Sequence, residues 1–452
     1  MRTDVPDLHG ARVTVMGLGL FGAGVGVTKF LCRAGAHVTV TDLNDAERLR
    51  ESVSELSGWP VEFQLGQHRE EDFQSADLVV VSPAVPEDSP WLDFARELDT
   101  EMNLFAKLCP ARTVYGITGS NGKTTTTTLV GEILRRGPRR VWVGGNLGVS
   151  LLEVIDEISP DDIVVLELSS FQLQHLDSIG WSPQVSVVLN ITPNHLDRHG
   201  SAERYVEAKR AIVRHQGEHD LRILNADDPT VRTFAGARTR WFGHDALREG
   251  TRVLPERLEH GGRVLDVRGR RLPGVFNLHN MAAATAAVAE AFPGWTKAAE
   301  DVLVSFAGVE HRLELVAESG GVAYYDDSIA TTPERTLAAL DTLSGPIVLL
   351  LGGYDKGLSF AELGAKVRER CREVVLFGQT ADALEEAIRP GGAGGADASV
   401  RRATSFEEAV AMARTAARPG DNVLLSPACA SYGMFRNFTE RGRRFKELVR
   451  AA

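Results

Sequence analysis

Short apolar runs alternate with longer stretches of helical spacing along most of this chain. Residues 12–16 (RVTVM), 37–41 (HVTVT) and 77–81 (DLVVV) have the length and β-branching of buried strands. Between the first two lies a helical stretch from Gly22 to about Ala34. A second set places strands near 114–117, 140–143, 163–168 and 185–190, with helices near 123–136, 149–158 and 201–215. Residues 241–271 are irregular, Gly- and Arg-rich, and read as short strands and turns; an Ala-rich helix spans Asn280 to Ala291. A third set has strands near 322–326, 347–351, 374–377 and 422–425. Helices near 333–342, 359–369, 381–388, 405–416 and 436–450 separate them. Strands alternating with helices predict an α/β fold with parallel sheets covered on both faces. Three sets predict three domains: 1–109, 110–310 and 311–452. The Pro390–Ala396 run is read as a surface loop, because alternation resumes after it.

Length agrees with that division, since 452 residues exceed what one core supports. The net charge of −11 disfavours a nucleic-acid partner, which needs basic surface. The local cluster Arg441-Gly-Arg443-Arg444 is read as a solvated helix face. Four well-separated cysteines form no CxxC pair, so neither a zinc site nor a disulfide framework is signalled, and free thiols fit a reducing cytoplasm. The N-terminal residues carry no apolar signal core, and no run approaches the roughly 20 apolar residues of a membrane span, so no membrane insertion is expected.

The chemistry concentrates at strand ends, where ligands gather in open parallel sheets. Thr113 to Thr128 reads TVYGITGSNGKTTTTT: a buried strand, a Gly-rich turn and a helix start. Glycines let backbone amides approach an anion, and the helix terminus adds partial positive charge. Gly119, Ser120, Asn121, Gly122, Lys123, Thr124 and Thr125 therefore form a candidate phosphate cradle, with Lys123 for the β- and γ-phosphates and the Thr124 hydroxyl for Mg²⁺. The usual first glycine of a P-loop is Ile117 here.

Glu167 ends an apolar strand, where a carboxylate calls for a partner or a metal. His195 lies in the polar cluster after the next strand and has the same topological position, which favours a metal or phosphate role. His199 lacks such support and is expected at the surface, Lys209 alone reads as an exposed lysine, and Asn280 reads as a helix cap. His311-Arg312 reads as a surface salt bridge. Asp326-Asp327-Ser328, Gly352 to Gly357 and Ser426 to Ser431 occupy three strand ends of the last set and point to a binding face. Gly17-x-Gly19-x-x-Gly22 followed by Asp42 meets the dinucleotide fingerprint. It leaves open a nicotinamide enzyme, another diphosphate such as a UDP-sugar, or a tight turn alone.

Together the residues resemble the Mur ligases. The resemblance is carried by Gly119 to Thr124, Glu167-Leu-Ser-Ser-Phe-Gln-Leu173, Asn190 to Arg198, His279-Asn280, His311-Arg312, Asp327-Ser328, Gly352-Gly353, Ser426-Pro-Ala-Cys-Ala-Ser431 and Phe438-x-x-Arg441-Gly442. It runs collinearly through the chain. It implies a Rossmann-like N-terminal domain, a P-loop-type central ATPase domain and a Rossmann-like C-terminal domain. The activity implied is ATP-dependent amide-bond formation through an acyl phosphate. The partners would be UDP-MurNAc-L-alanine and D-glutamate, acting on a cytoplasmic monomer; an L-glutamate homologue and another ligase of the family are the alternatives. A nicotinamide oxidoreductase and a P-loop regulatory ATPase are the readings from other classes.

By the same resemblance Lys123 contacts ATP, Thr124 and Glu167 hold one Mg²⁺, and His195 and a carbamylated Lys209 serve a second ion. Asn146 faces the acyl phosphate, and Asn280, Arg312 and Asp327 hold the nucleotide. Thr331, Lys356, Ser431 and Phe438 surround the incoming glutamate, and Leu20, Phe21, Asp42 and Ser82 serve the uridine diphosphate. This chain departs from the family pattern at Ile329, where a lysine is usual, at Thr332 in place of Asn, at Ala84 in place of Gly, and at Asn44 in place of Arg.

Overall fold

The computed structural model describes the chain apart from residues 1–6, 20, 21, 84, 87, 148, 149, 193–195, 247–249, 273, 344, 356, 357, 390–397 and 452, and the side chains at 196, 197 and 334. Leu20, Phe21, His195, Lys356 and the 390–396 loop named above lie outside the described residues. Among the described residues the strands form three sheets. The first two belong to one compact unit, residues 1–306, and the third to another, residues 307–452.

The first sheet contains β1 (Arg12–Met16), β2 (His37–Asp42), β3 (Val61–Leu65), β4 (Leu78–Val81) and β5 (Leu98–Thr100). Its order is β3-β2-β1-β4-β5, and every pairing is parallel. Central β1 is buried on both faces from Val13 to Met16, as a strand covered from both sides must be; Val13 and Val15 share a core with Val25, Val27 and Leu31 of the helix Ala23–Arg33. Strand order reverses between β1 and β4, which opens a crevice at their C-terminal ends. Gly17 lies there at φ +89°, and a Cβ on it would stand 2.9 Å from Ser82 Cβ. No larger residue lets these two strand ends approach so closely.

The second sheet contains β6 (Thr113–Thr118), β7 (Val141–Gly145), β8 (Ile163–Glu167), β9 (Val185–Val188), β10 (Leu221–Asn225), β11 (Thr239–Gly243), β12 (Thr251–Leu254), β13 (Arg257–His260) and β14 (Arg263–Asp266). The order is β14-β13-β12-β11-β10-β9-β6-β8-β7, parallel up to β12 and antiparallel beyond it. The irregular stretch after Trp241 thus forms short strands and turns as expected, with β12, β13 and β14 paired antiparallel. The Ala-rich helix runs Val275–Val288, not from Asn280. Gly274, at φ +96°, occupies its N-cap, so Asn280 does not cap the helix but sits buried inside it. Ala282, Ala283, Ala284, Ala286 and Ala287 are all buried in the same core as Leu129, Val130 and Ile133 of the helix Lys123–Leu134. Small side chains permit that two-sided burial.

The third sheet contains β15 (Glu314–Ser319), β16 (Val322–Asp326), β17 (Ile347–Gly353), β18 (Cys371–Gly378), β19 (Ser399–Arg402) and β20 (Asn422–Leu425). Its order is β15-β16-β20-β17-β18-β19, parallel except for β15. Strands β16, β20 and β17 are neighbours, so the three polar or Gly-rich strand ends lie side by side.

Two sequence-based expectations fail in this unit for one reason, burial of charge. Arg441 is fully buried, not part of a solvated face. Its guanidinium donates to Ser328 Oγ (3.0 Å), Ser328 O (2.9 Å) and Cys429 O (3.0 Å), and burial lowers its pKa to about 10. His311 is buried too, with Nδ1 2.7 Å from Asp326 Oδ2. Gly442 leaves room for that ring, since a Cβ there would stand 2.1 Å from His311 Nδ1. Arg441→Met is expected to destabilise the chain by about 3 kcal/mol, because it leaves two buried carbonyls without donors. Urea unfolding measures the loss, and an unchanged midpoint would contradict the clasp.

Candidate functional site

Strand β6 lies between β8 and β9. The loop that follows it is held by the end of β9: Ser120 N donates to Asn190 O (2.8 Å), and Ser120 Oγ to Thr192 O (2.9 Å). Asn121 N donates to Asn190 Oδ1 (2.9 Å), while Asn190 Nδ2 donates back to Asn121 O (3.0 Å). The missing first glycine at Ile117 therefore costs nothing, since Ile117 is a buried β6 residue and the turn begins at Gly119. Gly122 is the N-cap of the next helix at φ +85°. Its lack of a Cβ matters, because one would stand 2.2 Å from Asn280 Oδ1. Lys123 Nζ bonds back to Gly119 O (2.9 Å) and Ser120 O (3.1 Å), folding over the loop.

Glu167 ends β8, flanked by β6 and β7, and is 2% exposed. That excludes an edge-strand glutamate. It accepts from Thr124 Oγ1 (2.7 Å) and Asn146 Nδ2 (3.0 Å), and Asn146 N donates to its backbone carbonyl (2.9 Å). Three residues named from separate strand ends, Thr124, Asn146 and Glu167, thus meet in one cluster.

Lys209 is buried, contrary to its reading as an exposed lysine. The helix Ala202–Arg214 turns Tyr205 and Lys209 to one face, as i,i+4 spacing requires. Lys209 Nζ reaches Gly119 O (3.1 Å) and Thr118 Oγ1 (3.4 Å) and sits 4.8 Å above the Tyr205 ring. Burial pulls its pKa well below the ordinary lysine value; the Lys123 charge lowers it further, and Glu167 opposes the shift. Tyr205, not singled out from sequence, has its hydroxyl 2.9 Å from Ser120 Oγ.

His199 is also buried rather than on the surface. Its Nε2 lies 2.9 Å from Ser170 Oγ, and its ring stacks on Phe171 at 4.8 Å. The Ser-Ser-Phe-Gln segment after Glu167 is thereby explained: Ser169 and Gln172 form a capping box, and Ser170 and Phe171 anchor His199. Arg198 covers Phe171 and donates to Pro83 O (3.3 Å), joining this loop to the end of β4.

A cleft of about 350 Å³ opens beside the loop. Its walls include Asn121, Gly122, Asn190, Phe276, His279 and Asn280. Asn280 donates to Asn277 Oδ1 (3.0 Å), a second buried amide that the sequence reading passed over. Their i,i+3 spacing was the available signal.

In the first sheet, Asp42 is buried and occupied. Its Oδ2 accepts from Gly19 N (3.1 Å), and its Oδ1 from Asn44 N and Nδ2 (2.8 Å each). It holds the glycine turn, where a dinucleotide reading would have it greet a ribose. Ser82 N donates to Met16 O (2.9 Å), continuing the β1–β4 pairing by one bond.

In the second unit Asp327 is buried; Ser426 Oγ donates to its Oδ2 (2.7 Å) and Leu313 N to its Oδ1 (3.1 Å). Burial raises its pKa to about 7. Arg312 is exposed, Thr331 and Ser431 are buried, and the Thr331 hydroxyl has no hydrogen-bond partner among the described residues. Phe438 lies edge-on to His311. Among the described residues no helix is long and apolar enough to cross a membrane.

Comparison with known proteins accounts for this arrangement. Residues 11–103 match the Mur ligase MurD-like N-terminal domain, 117–288 the Mur ligase middle domain, and 311–429 the Mur ligase glutamate ligase domain. UDP-N-acetylmuramoylalanine–D-glutamate ligase of Symbiobacterium thermophilum is 45% identical, covering 97% of this chain and 98% of the relative. The protein of that name from Roseiflexus sp. is 44% identical, covering 98% and 99%. A crystal structure of MurF ligase from Thermotoga maritima in complex with ADP shares the fold, with a TM-score of 0.54 at 21% identity over 98% of this chain and 96% of that one. The chain belongs to the Mur ligase family.

Proposed function

We propose that this chain joins the carboxyl group of UDP-N-acetylmuramoyl-L-alanine to the amine of D-glutamate at the expense of ATP. The phosphoryl-transfer half rests on one observation: a buried carboxylate, Glu167, bonded to the Thr124 hydroxyl at the end of the Gly119–Thr124 loop. The acceptors rest on the names of relatives that match along nearly the whole chain. The work is assigned to a cytoplasmic monomer, for which four free thiols are suited.

A substrate carboxylate oxygen attacks the γ-phosphorus, an O–P bond forms, and ADP leaves. The glutamate amine then attacks the acyl carbon, loses a proton, and expels inorganic phosphate. Such transfers depend on positioning and charge neutralisation. Lys123 leaves the loop carbonyls for the phosphates, and the first turn of its helix presents amides and a positive dipole end. Asn146, fixed on Glu167, is assigned to the acyl phosphate. Asn280 is assigned to the nucleotide in the first unit, and Arg312 and Asp327 in the second. Thr331, Ser431, Phe438 and Lys356 are assigned to glutamate, and Leu20, Phe21, Asp42 and Ser82 to the uridine diphosphate. The unpartnered Thr331 hydroxyl suits a ligand-facing role.

The Glu167 carboxylate and the Thr124 hydroxyl beside it offer oxygen ligands that fit a hard, oxygen-seeking cation. Thr124 and Glu167 would hold Mg²⁺, which supplies charge neutralisation at the phosphates. A second ion is assigned to His195 and a carbamylated Lys209. The depressed pKa of Lys209 favours the neutral amine, the form that adds to CO₂.

Phosphate release with ATP and Mg²⁺ tests the reading. It is expected only when UDP-N-acetylmuramoyl-L-alanine and D-glutamate are both present. Release without an acceptor, or with L-glutamate in preference, would overturn it.

A further inference from the structure

Apart from the Glu167 cluster, Asp227, His244 and His279 come together from three elements: the turn after β10, the turn after β11, and the first turns of the helix Val275–Val288. One ligand atom from each lies within 4.8 Å of the others. Both imidazoles turn Nδ1 to a backbone carbonyl: His244 to Val253 O (3.1 Å) and His279 to Val275 O (3.3 Å). The tautomer whose Nδ1–H donates to these carbonyls carries its lone pair on Nε2, the form that metal-ligating histidines adopt. In that tautomer His279 Nε2 faces Asp227 Oδ2 at 2.9 Å with no proton between them; in the other tautomer its Nε2–H donates to the carboxylate. A cation between them satisfies both lone pairs at once.

The carboxylate is preset. His244 N donates to Asp227 Oδ2 (2.8 Å) and Asp245 N to Oδ1 (2.9 Å), while Asp227 N donates to Asn225 Oδ1 (2.9 Å). The second cluster of this kind, His311, Glu314 and Asp326, differs: Lys446 Nζ lies 2.6 Å from Glu314 Oε2 and already supplies a cation.

We propose that Asp227, His244 and His279 bind one borderline transition-metal ion of the Zn²⁺ class. Two nitrogens and one oxygen leave a fourth position open, as in zinc sites with three protein ligands. His279 also lines the cleft beside Gly122, so the ion would fix one cleft wall. The site is separate from the Glu167 cluster and independent of which amino acid the chain accepts.

Metal-stripped full-length chain, titrated with Zn²⁺ against a chromogenic chelator and separately with Co²⁺, provides the test. One equivalent is expected to bind, and the Co²⁺ form should show the intense visible absorption of four-coordinate cobalt. His244→Ala and Asp227→Asn should each weaken binding by about 10-fold or more, the scale on which even supporting contacts act. Glu167→Gln should leave the cobalt spectrum intact, which separates this site from the oxygen-rich one. Absent visible absorption, or a spectrum unaltered by His244→Ala, would overturn the proposal. So would a doubly protonated His279 ring, seen by nitrogen NMR, that one equivalent of Zn²⁺ does not disturb.

Discussion

Lys123→Ala is expected to lower kcat by about 10³-fold or more, the scale at which one charge-neutralising group acts in phosphoryl transfer. The fold should survive, because the lysine's bonds to Gly119 O and Ser120 O lie within its own loop. Lys123→Arg should fail nearly as badly, since a planar fork cannot replace a compact ammonium at the mouth of this narrow turn. Rapid-mix phosphate assays check both, with thermal melts as the control for folding. Activity within tenfold of the wild type would remove Lys123 from the phosphate site.

Lys209→Ala carries the second large effect. The amine is buried against Gly119 O and Thr118 Oγ1, and that burial disfavours its charged form. As a carbamate it becomes an oxygen ligand. Its loss should cost about 10²–10³-fold in kcat, comparable to removing one electrostatic contact from a preorganised site. Formate or acetate should restore part of the activity by standing in for the missing oxygens. Rescue separates a chemical role from a packing role, because a cavity alone would not answer to carboxylates. Wild-type-like turnover in Lys209→Ala would end the carbamate assignment.

The legible parts of the sequence were those where burial and polarity coincide with strand ends. β6, β8, β17 and β20 are apolar on both faces and end in chemistry, so Gly119–Thr124, Glu167, Gly352-Gly353 and Ser426 could be placed from pattern alone. Edge strands were not legible: β3 (VEFQL) and β19 (SVRR) are half solvated and carry charges where a strand pattern expects apolar residues. The early start of the helix Val275–Val288 escaped because its first turn exposes Val275 and Phe276 to the cleft, which breaks the apolar stripe.

Buried charge was the harder failure. Lys209, His199 and Arg441 read as surface residues because periodicity does not register a polar tip satisfied from elsewhere in the chain. Their partners, Gly119 O, Ser170 Oγ and Cys429 O, lie on other elements. For Lys209 the i,i+4 relation to Tyr205 was the one local hint, and it speaks only once Tyr205 is known to be inside.

The central claim is that the substrate carboxylate itself attacks ATP. Labelling both oxygens of the alanine carboxylate of UDP-N-acetylmuramoyl-L-alanine with ¹⁸O, and analysing the phosphate released with ATP and D-glutamate, tests it directly. An acyl phosphate transfers one labelled oxygen to every phosphate released. Unlabelled phosphate would show that water, not the carboxylate, takes the γ-phosphoryl group, and would contradict the ligase mechanism.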